Sequence, residues 1–554
     1  MEVTGAGGVN SHEETLLQNI ELQSMVNYKG EKFVMNSEFG GWKSASRVLV
    51  IDCVDAFVFF GILSNLISYL TNQFGQSTAT AALNVNIWVG VVFMLPLLIG
   101  FVADSYLGRF RIVLVSSCFC ISGLGLLTLS TLNGSAKTTD CVNNTKDDIS
   151  CASPSCLQVN FFFFSLYLVA IGSAGFATCA PAFGADQFDG RNPNEIKSKS
   201  SFFNWWQIGI SVGGTGANTI LNYIQDNLGW SLGFGILCIS SVVALIVFLS
   251  GIKTYRYSVI DEARGNPLLG ITEVLVAAAK NWRITSSSNT SKDEALEAFV
   301  GNSNANVEEA KSLLRLIPLW IICLIYPVAI AQNMTLFTKQ SSTMDRTIGP
   351  KFQIPAASLQ LFIGLSIILF AALYDRLFVP LARAITGRPN GITMLQRIGT
   401  GIFFTAISMV IAAVVENKRL QTAIDFGLVD TPNAAVPMSV WWLIPQYVVS
   451  GLAIAFTSIG LQEFFYDQVP NGLKSMGLAL NTSVFGVGNF TSGFLISTVQ
   501  KVTSADGQYG WFANNLNRAH LDYFYWLLAG LSTLELFAFL CYSKTYLYRR
   551  EASI

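Results

Sequence analysis

The chain is poor in charge. Asp, Glu, Lys and Arg together supply only 12% of its 554 residues, about half of the roughly 25% usual in soluble domains. So few charges cannot cover a water-facing surface of this size. There are 2 His, and the 10 Cys contain no CxxC pair, which excludes a zinc module and a dense disulfide framework. No bound metal or cofactor is expected. A net charge of −1 leaves no footprint for nucleic acid. No GxxxxGK[ST] run occurs, so a nucleotide-driven pump is not expected. A membrane enzyme would need a catalytic constellation such as HExxH or a paired His set, and His12 and His520, both outside the apolar runs, cannot supply one. The opening Met1–Lys43 stretch is polar and acidic, so no cleavable signal peptide is expected.

What is abundant is apolar. Hydrophobic residues reach 51%, with 40 Phe, and mean hydropathy is +0.47. A bilayer-crossing helix needs about 20 mostly apolar residues. The runs at 46–71, 85–106, 110–132, 158–184, 201–224, 231–254, 312–337, 355–378, 396–416, 437–461, 472–499 and 522–546 predict twelve spans. The chain thus reads as an all-α membrane protein. An even number of spans puts both ends on one side. On the opposite side fall only Lys137, Lys146, Lys339, Arg346, Lys351, Lys418, Arg419, Lys501 and Arg518; the remaining Lys and Arg, the large majority, mark the tail side as cytosolic. A polar stretch from about Tyr255 to Glu309 divides the spans six and six. The expected organisation is a tail at 1–45, a six-helix half at 46–254, a cytosolic linker at 255–311, a second half at 312–546 and a short tail at 547–554. That is the layout of transporters built from parallel repeats, with the solute held between the halves.

Between spans 2 and 3 lies Gly100-Phe-Val-Ala-Asp104-Ser-Tyr-Leu-Gly108-Arg109-Phe-Arg111. Glycine permits the tight turn. Asp104 can pair with Arg109 or with a neighbouring helix N-terminus, a contact able to hold one face closed. Asp375 and Arg376, followed by Gly387-Arg388, echo it between spans 8 and 9. The 133–157 loop carries sequons at Asn133 and Asn143, expected glycosylation positions if that loop is lumenal. It also holds Cys141, Cys151 and Cys156, as readily free thiols as a disulfide pair with one left over.

These motifs resemble a known family. The Gly100–Arg111 stretch is similar to the loop motif of the major facilitator superfamily. Phe183-Gly-Ala-Asp186-Gln187-Phe188-Asp189, Phe202-Phe-Asn204-Trp-Trp206 and Glu463-Phe-Phe-Tyr466 resemble proton-coupled oligopeptide transporters. Ile354-Pro-Ala-Ala-Ser358 and Leu516-Asn-Arg-Ala-His-Leu-Asp-Tyr-Phe-Tyr525 look like its plant nitrate and peptide branch. The resemblance covers about residues 40–550 and implies a major facilitator fold of twelve helices in two six-helix halves. It also exposes departures. Where the family carries two Glu and a cation in span 1, this chain has Asp52-Cys-Val-Asp55-Ala56. Ala177 stands where span 4 usually has Lys. Ile330 stands where nitrate-specialised members have His.

Asp52 and Asp55, three apart, share a helix face that Phe59 continues. Ionised carboxylates in hydrocarbon are costly unless paired or solvated, and like charges this close repel, so one proton is shared or retained. The pair reads as a proton or cation site. Phe59, Gln332, Asn333 and Glu463 are the expected solute-binding residues, with Glu463 as a third buried carboxylate. Glu535 reads as a peripheral packing or hydrogen-bonding residue. Trp205, Trp206, Trp441 and Trp442 read as interfacial anchors. The expected activity is secondary transport of a small solute by alternating access, in the nitrate, peptide or plant-metabolite class implied by the resemblance, with proton coupling weakened or rewired. The alternatives are a transporter-like sensor with little flux, or an uncoupled facilitator or exporter of a cationic or neutral metabolite. Expected partners are the solute, protons and membrane lipid, with oligomeric state open. The acidic Glu13-Glu-Thr-Leu16-Leu17 stretch leaves plasma membrane and vacuolar membrane equally open.

Overall fold

In hydrocarbon every backbone N–H and C=O must be paired within its own segment, so apolar runs of this length become helices. The computed structural model describes residues 25–29, 39–138, 155–188, 193–258, 315–349, 352–373, 381, 384, 392–431, 434–469, 474–504 and 510–546. Among them, nine helices are long and apolar enough to cross a membrane. These are α1 (Gly41–Asn72), α2 (Thr78–Val102), α3 (Arg109–Thr138), α4 (Cys156–Ala185), α6 (Trp230–Leu249), α7 (Arg315–Ser342), α9 (Met394–Asp425), α10 (Ile444–Asp467, entered by the 3-10 turn Val440–Leu443) and α12 (Leu521–Thr545). Three less apolar or shorter helices occupy the remaining expected places. They are α5 (Pro193–Gly216, continued through the π turn Ala217–Leu221 into Asn222–Asn227), α8 (Leu361–Leu373, entered by the 3-10 turn Ala356–Gln360) and α11 (Lys474–Thr503). The near end of the bundle is the one where α1 begins and α12 finishes; the far end is opposite.

The packing repeats. α3 lies against α4 and α6, and six helices later α9 lies against α10 and α12. Both α3·α4 and α9·α10 rely on glycine at the crossing. A Cβ on Gly172 would fall 2.8 Å from the Ser116 carbonyl, and one on Gly401 would fall 2.0 Å from the Thr457 hydroxyl. Small residues let helices in lipid approach closely where no hydrophobic drive exists.

Several ends differ from the apolar runs. α9 was expected over 396–416 and continues to Asp425. Glu416 and Arg419, both with fully buried side chains, neutralise each other at 2.7 Å, so charge does not end the helix. α7 was expected as one continuous helix. It is interrupted by the 3-10 turn Ala331–Asn333, and the next helical stretch starts only at Leu336.

The halves touch at the far end. Asn86 Nδ2 of α2 donates to Ser492 Oγ of α11 at 3.0 Å, Gln360 Nε2 donates to the Ser64 carbonyl of α1 at 3.2 Å, and Lys339 Nζ of α7 donates to Thr71 Oγ1 at 3.0 Å. Tyr223 stacks on Phe352 with centroids 5.9 Å apart.

At the near end the first half is knotted to the chain before and after it. Strand β1 (Met25–Val26) pairs antiparallel with β2 (Tyr257–Ser258). The Gln187 side chain accepts from the Arg256 N–H at 2.9 Å and donates to the Arg256 carbonyl at 3.1 Å, while Arg256 Nη1 meets Glu195 at 2.9 Å. Gln187 thereby acts as one more strand edge.

Candidate functional site

On α1, Asp52 is 6% exposed, and its Oδ2 has no hydrogen-bond partner. The Trp206 indole of α5 stands beside it, yet that N–H also makes no hydrogen bond of good geometry. Trp206 was expected to anchor the membrane interface with Trp205. Trp205 is 55% exposed, as an anchor would be, whereas the Trp206 N–H is turned inward.

Asp55 lies one turn further along and accepts from Ser173 Oγ of α4 at 2.8 Å. Beside it is a cavity of about 10 Å³ lined also by Ser117, Cys120, Phe176 and Ser241, room for a single water. Among the described residues neither carboxylate has a Lys or Arg partner. Ala56 is buried, and Ala177 is exposed on α4. The arrangement is a pair of acceptors looking for charge compensation: an ionised carboxylate in such surroundings costs several kcal/mol, by order of magnitude, unless a proton or a cation joins it.

Phe59, the next residue on that face, is half-buried. It stacks on Trp88 at 5.8 Å and meets Phe93 edge-on at 6.1 Å.

The other expected solute residues behave differently. Gln332 is fully buried. Its amide donates to the Val328 carbonyl at 2.8 Å and to Ser492 Oγ at 3.0 Å, which places it in the far-end seam with Asn86. Asn333 is also fully buried and donates to Ser450 Oγ at 2.6 Å. In this state both amides are engaged between helices instead of being turned to open space. Glu463 was expected as a third buried carboxylate, but its side chain is 41% exposed and reaches Arg397 at 3.5 Å. It lies about one turn from the near end of α10, whereas Asp52 and Asp55 lie about three turns in from that of α1. These three carboxylates therefore sit at different depths. Glu535, expected as a peripheral packing or hydrogen-bonding residue, is 1% exposed and accepts from the Tyr326 N–H at 3.1 Å, a donor left uncommitted in the first turn of the helical stretch Ile325–Ile330.

Of the gate motif, Gly108 has φ +76°, a conformation glycine adopts freely, and its N–H closes the π turn Ala103–Leu107 onto the Ala103 carbonyl at 2.9 Å. Arg109 meets Asp186 of the Phe183–Asp189 signature at 2.6 Å. The side chains of Asp104 and Asn133 lie outside the described residues, as do Asp375, Arg376, Asn143, Cys141 and Cys151. Ser173 and the inward turn of Trp206 went unforeseen, because a helical sequence shows which residues share its face but not which helix it meets.

Comparison with known proteins bears on the family and the fold. The sequence model of the POT family matches residues 110–512. The chain is 52% identical over 549 residues to Protein NRT1/PTR FAMILY 5.10 of Arabidopsis thaliana, covering 96% of this chain and 97% of that protein. It is 50% identical over 547 residues to NRT1/PTR FAMILY 5.12 of the same plant, covering 96% and 97%. In fold it is similar to an auto-inhibited POT family peptide transporter, with TM-score 0.69 at 20% identity over 92% of this chain and 98% of that one. It is also similar to a POT family transporter in complex with 5-aminolevulinic acid, with TM-score 0.64 at 14% identity over 90% and 96%. The fold is that of the major facilitator transporters, and the chain belongs to the POT family, a family of multi-pass membrane transporters and not of enzymes.

Proposed function

We propose that the protein moves a small solute between two six-helix halves, 46–254 and 312–546, with its near end, linker and tails in the cytosol and with loosened proton coupling. The observation that carries the reading is Asp52: buried, unpartnered at Oδ2, and accompanied by Ala56 where the family resemblance implies a cation. In the family arrangement that cation competes with the proton for the carboxylates. Without it, proton and solute need not be linked. The far-end contacts described above support a state open toward the near end, which is one half of an alternating-access cycle. The membrane is plasma or vacuolar, and the excess of Lys and Arg on the tail side supports the orientation.

The test is flux into proteoliposomes at imposed pH gradients, for the wild type and for Asp52→Asn with Asp55→Asn. We expect wild-type flux nearly indifferent to the gradient and strongly reduced in the double variant. Strong acid stimulation that the double variant abolishes would show ordinary coupling and defeat this reading.

A further inference from the structure

A chain of aromatic rings crosses the seam between the halves next to the carboxylate pair. Phe59 on α1 meets Phe93 on α2. Phe93 meets Phe485 on α11 with centroids 5.9 Å apart, and Phe485 meets Tyr326 on α7 edge-on at 6.0 Å. The Tyr326 hydroxyl is already paired with Ser458 at 3.1 Å. Phe59, Phe93 and Phe485 are each only partly buried, so the seam is not sealed at this level. The hydrogen bonds that join the halves, through Asn86 and Ser492 and through Lys339 and Thr71, lie on the far side of these rings, which makes the rings the roof of any space opening toward the near end. Asp55 lies one helical turn below Phe59 on the same face, and Asp52 nearly a turn below that.

The chemistry of that corner is one-sided. Ring faces carry partial negative charge, the two carboxylates have no cationic partner among the described residues, and the inward Trp206 N–H, a neutral donor, already stands beside Asp52. A bare anion meets repulsion from both. An ammonium group attached to a flat apolar body is matched by both: charge to the carboxylates, body and charge to the ring faces.

We propose that the solute is an organic cation, its charged nitrogen beside Asp55 and Asp52 and its apolar body against Phe59, Phe93 and Phe485. The proposal rests on the transporter reading above and adds the solute class and the residues that select it.

The test uses the full chain in proteoliposomes with three probes: N-methyl-4-phenylpyridinium, nitrate and dialanine. The pyridinium carries a permanent charge, so a pH gradient cannot alter its form. Saturable uptake of the pyridinium in preference to the other two is expected. Phe485→Leu keeps an apolar side chain and removes the ring, and is expected to raise the half-saturation concentration about tenfold with little change in maximal rate. Phe485→Trp is expected to retain the wild-type value. Asp55→Asn is expected to abolish pyridinium uptake. Preferential uptake of nitrate or dialanine would overturn the solute class while leaving the transporter reading intact. Absence of flux for all three probes would count against both. Wild-type half-saturation in Phe485→Leu would show that the ring only packs and would overturn its selecting role.

Discussion

Two buried acidic sites, Glu416 in the second half and Asp52 with Asp55 in the first, are treated in opposite ways. In the second half Arg419 meets both oxygens of Glu416, at 2.9 and 2.7 Å, and also donates to Asn517 at 2.8 Å and to the Leu516 carbonyl at 2.7 Å. In the first half Asp52 has an oxygen with no hydrogen-bond partner, and Asp55 has one serine. A buried charge whose partners are all supplied by the fold has no vacancy for a ligand or a proton. A buried carboxylate with a vacancy is maintained at a cost to stability, which is why intramembrane ionisable groups of this kind mark transport pathways. By the same criterion Glu535 of α12, buried with one partner at Oε1 and none at Oε2, also carries a vacancy, so the contrast distinguishes sites and not halves.

The largest test is to remove one member of the satisfied pair. Glu416→Ala leaves the Arg419 guanidinium buried without its counter-charge, and is expected to cost about 3–5 kcal/mol, read as a large fall in the thermal midpoint of the detergent-solubilised protein. Glu416→Met with Arg419→Met together is expected to recover most of the loss, since replacing both partners by apolar groups is often neutral. Asp52→Asn is expected to leave the midpoint unchanged or slightly raised. A fall with Asp52→Asn as deep as that with Glu416→Ala would erase the distinction and make Asp52 a scaffold residue.

Next in size is the backbone clip at the near end. Gln187→Ala removes the two side-chain hydrogen bonds to the N–H and C=O of Arg256. The expected loss is about 1–3 kcal/mol, with hydrogen exchange at the Arg256 amide faster while exchange in the middle of α4 is unchanged. Unchanged exchange at Arg256 would mean that β1 pairing alone holds this strand.

A smaller effect belongs to the far seam. Lys339 is held there by a hydroxyl, Thr71 Oγ1, with no carboxylate in salt-bridge range among the described residues, so closing the seam desolvates a cation with little return. Lys339→Met is expected to favour the closed far end by about 1 kcal/mol, seen as a narrower short-distance population between spin labels at Gln73 and Asp345. A shift toward longer distances would show that the Thr71 contact outweighs the desolvation.

Much of the architecture could be read before the coordinates, because hydrocarbon leaves little choice: a long apolar run must pair its backbone internally. The places where hydropathy misjudged the helices have particular causes. The apolar run of α9 ends at residue 416, before Lys418 and Arg419, but Arg419 pairs with Glu416 inside the bundle and the helix continues. The expected continuity of α7 overlooked the turn at Ala331–Asn333, although its two polar amides, Gln332 and Asn333, interrupt an otherwise apolar run. At the site, the facing of Asp52, Asp55 and Phe59 follows from helical spacing within one segment. What Gln332, Trp206 and Glu463 touch does not, since their partners Ser492, Asp52 and Arg397 lie at least 66 residues away in sequence and are brought in by packing alone.

Glu463 marks the weak end of the contrast. Its pair with Arg397 is long at 3.5 Å, and the carboxylate side chain is 41% exposed, so water already solvates it and salt screens the attraction. Pairs of this kind contribute about 0–1 kcal/mol. Glu463→Gln is therefore expected to move the thermal midpoint by less than the spread between preparations, at low or at high salt. That insensitivity makes transport the informative readout. If Glu463 contacts the solute or times the opening of the near end, Glu463→Gln changes uptake although stability does not move, and Arg397→Gln changes it in parallel because the pair is one device. If uptake and stability are both unchanged in the two variants, the pair is a solvated surface contact, and Glu463 drops out of the expected solute-binding residues.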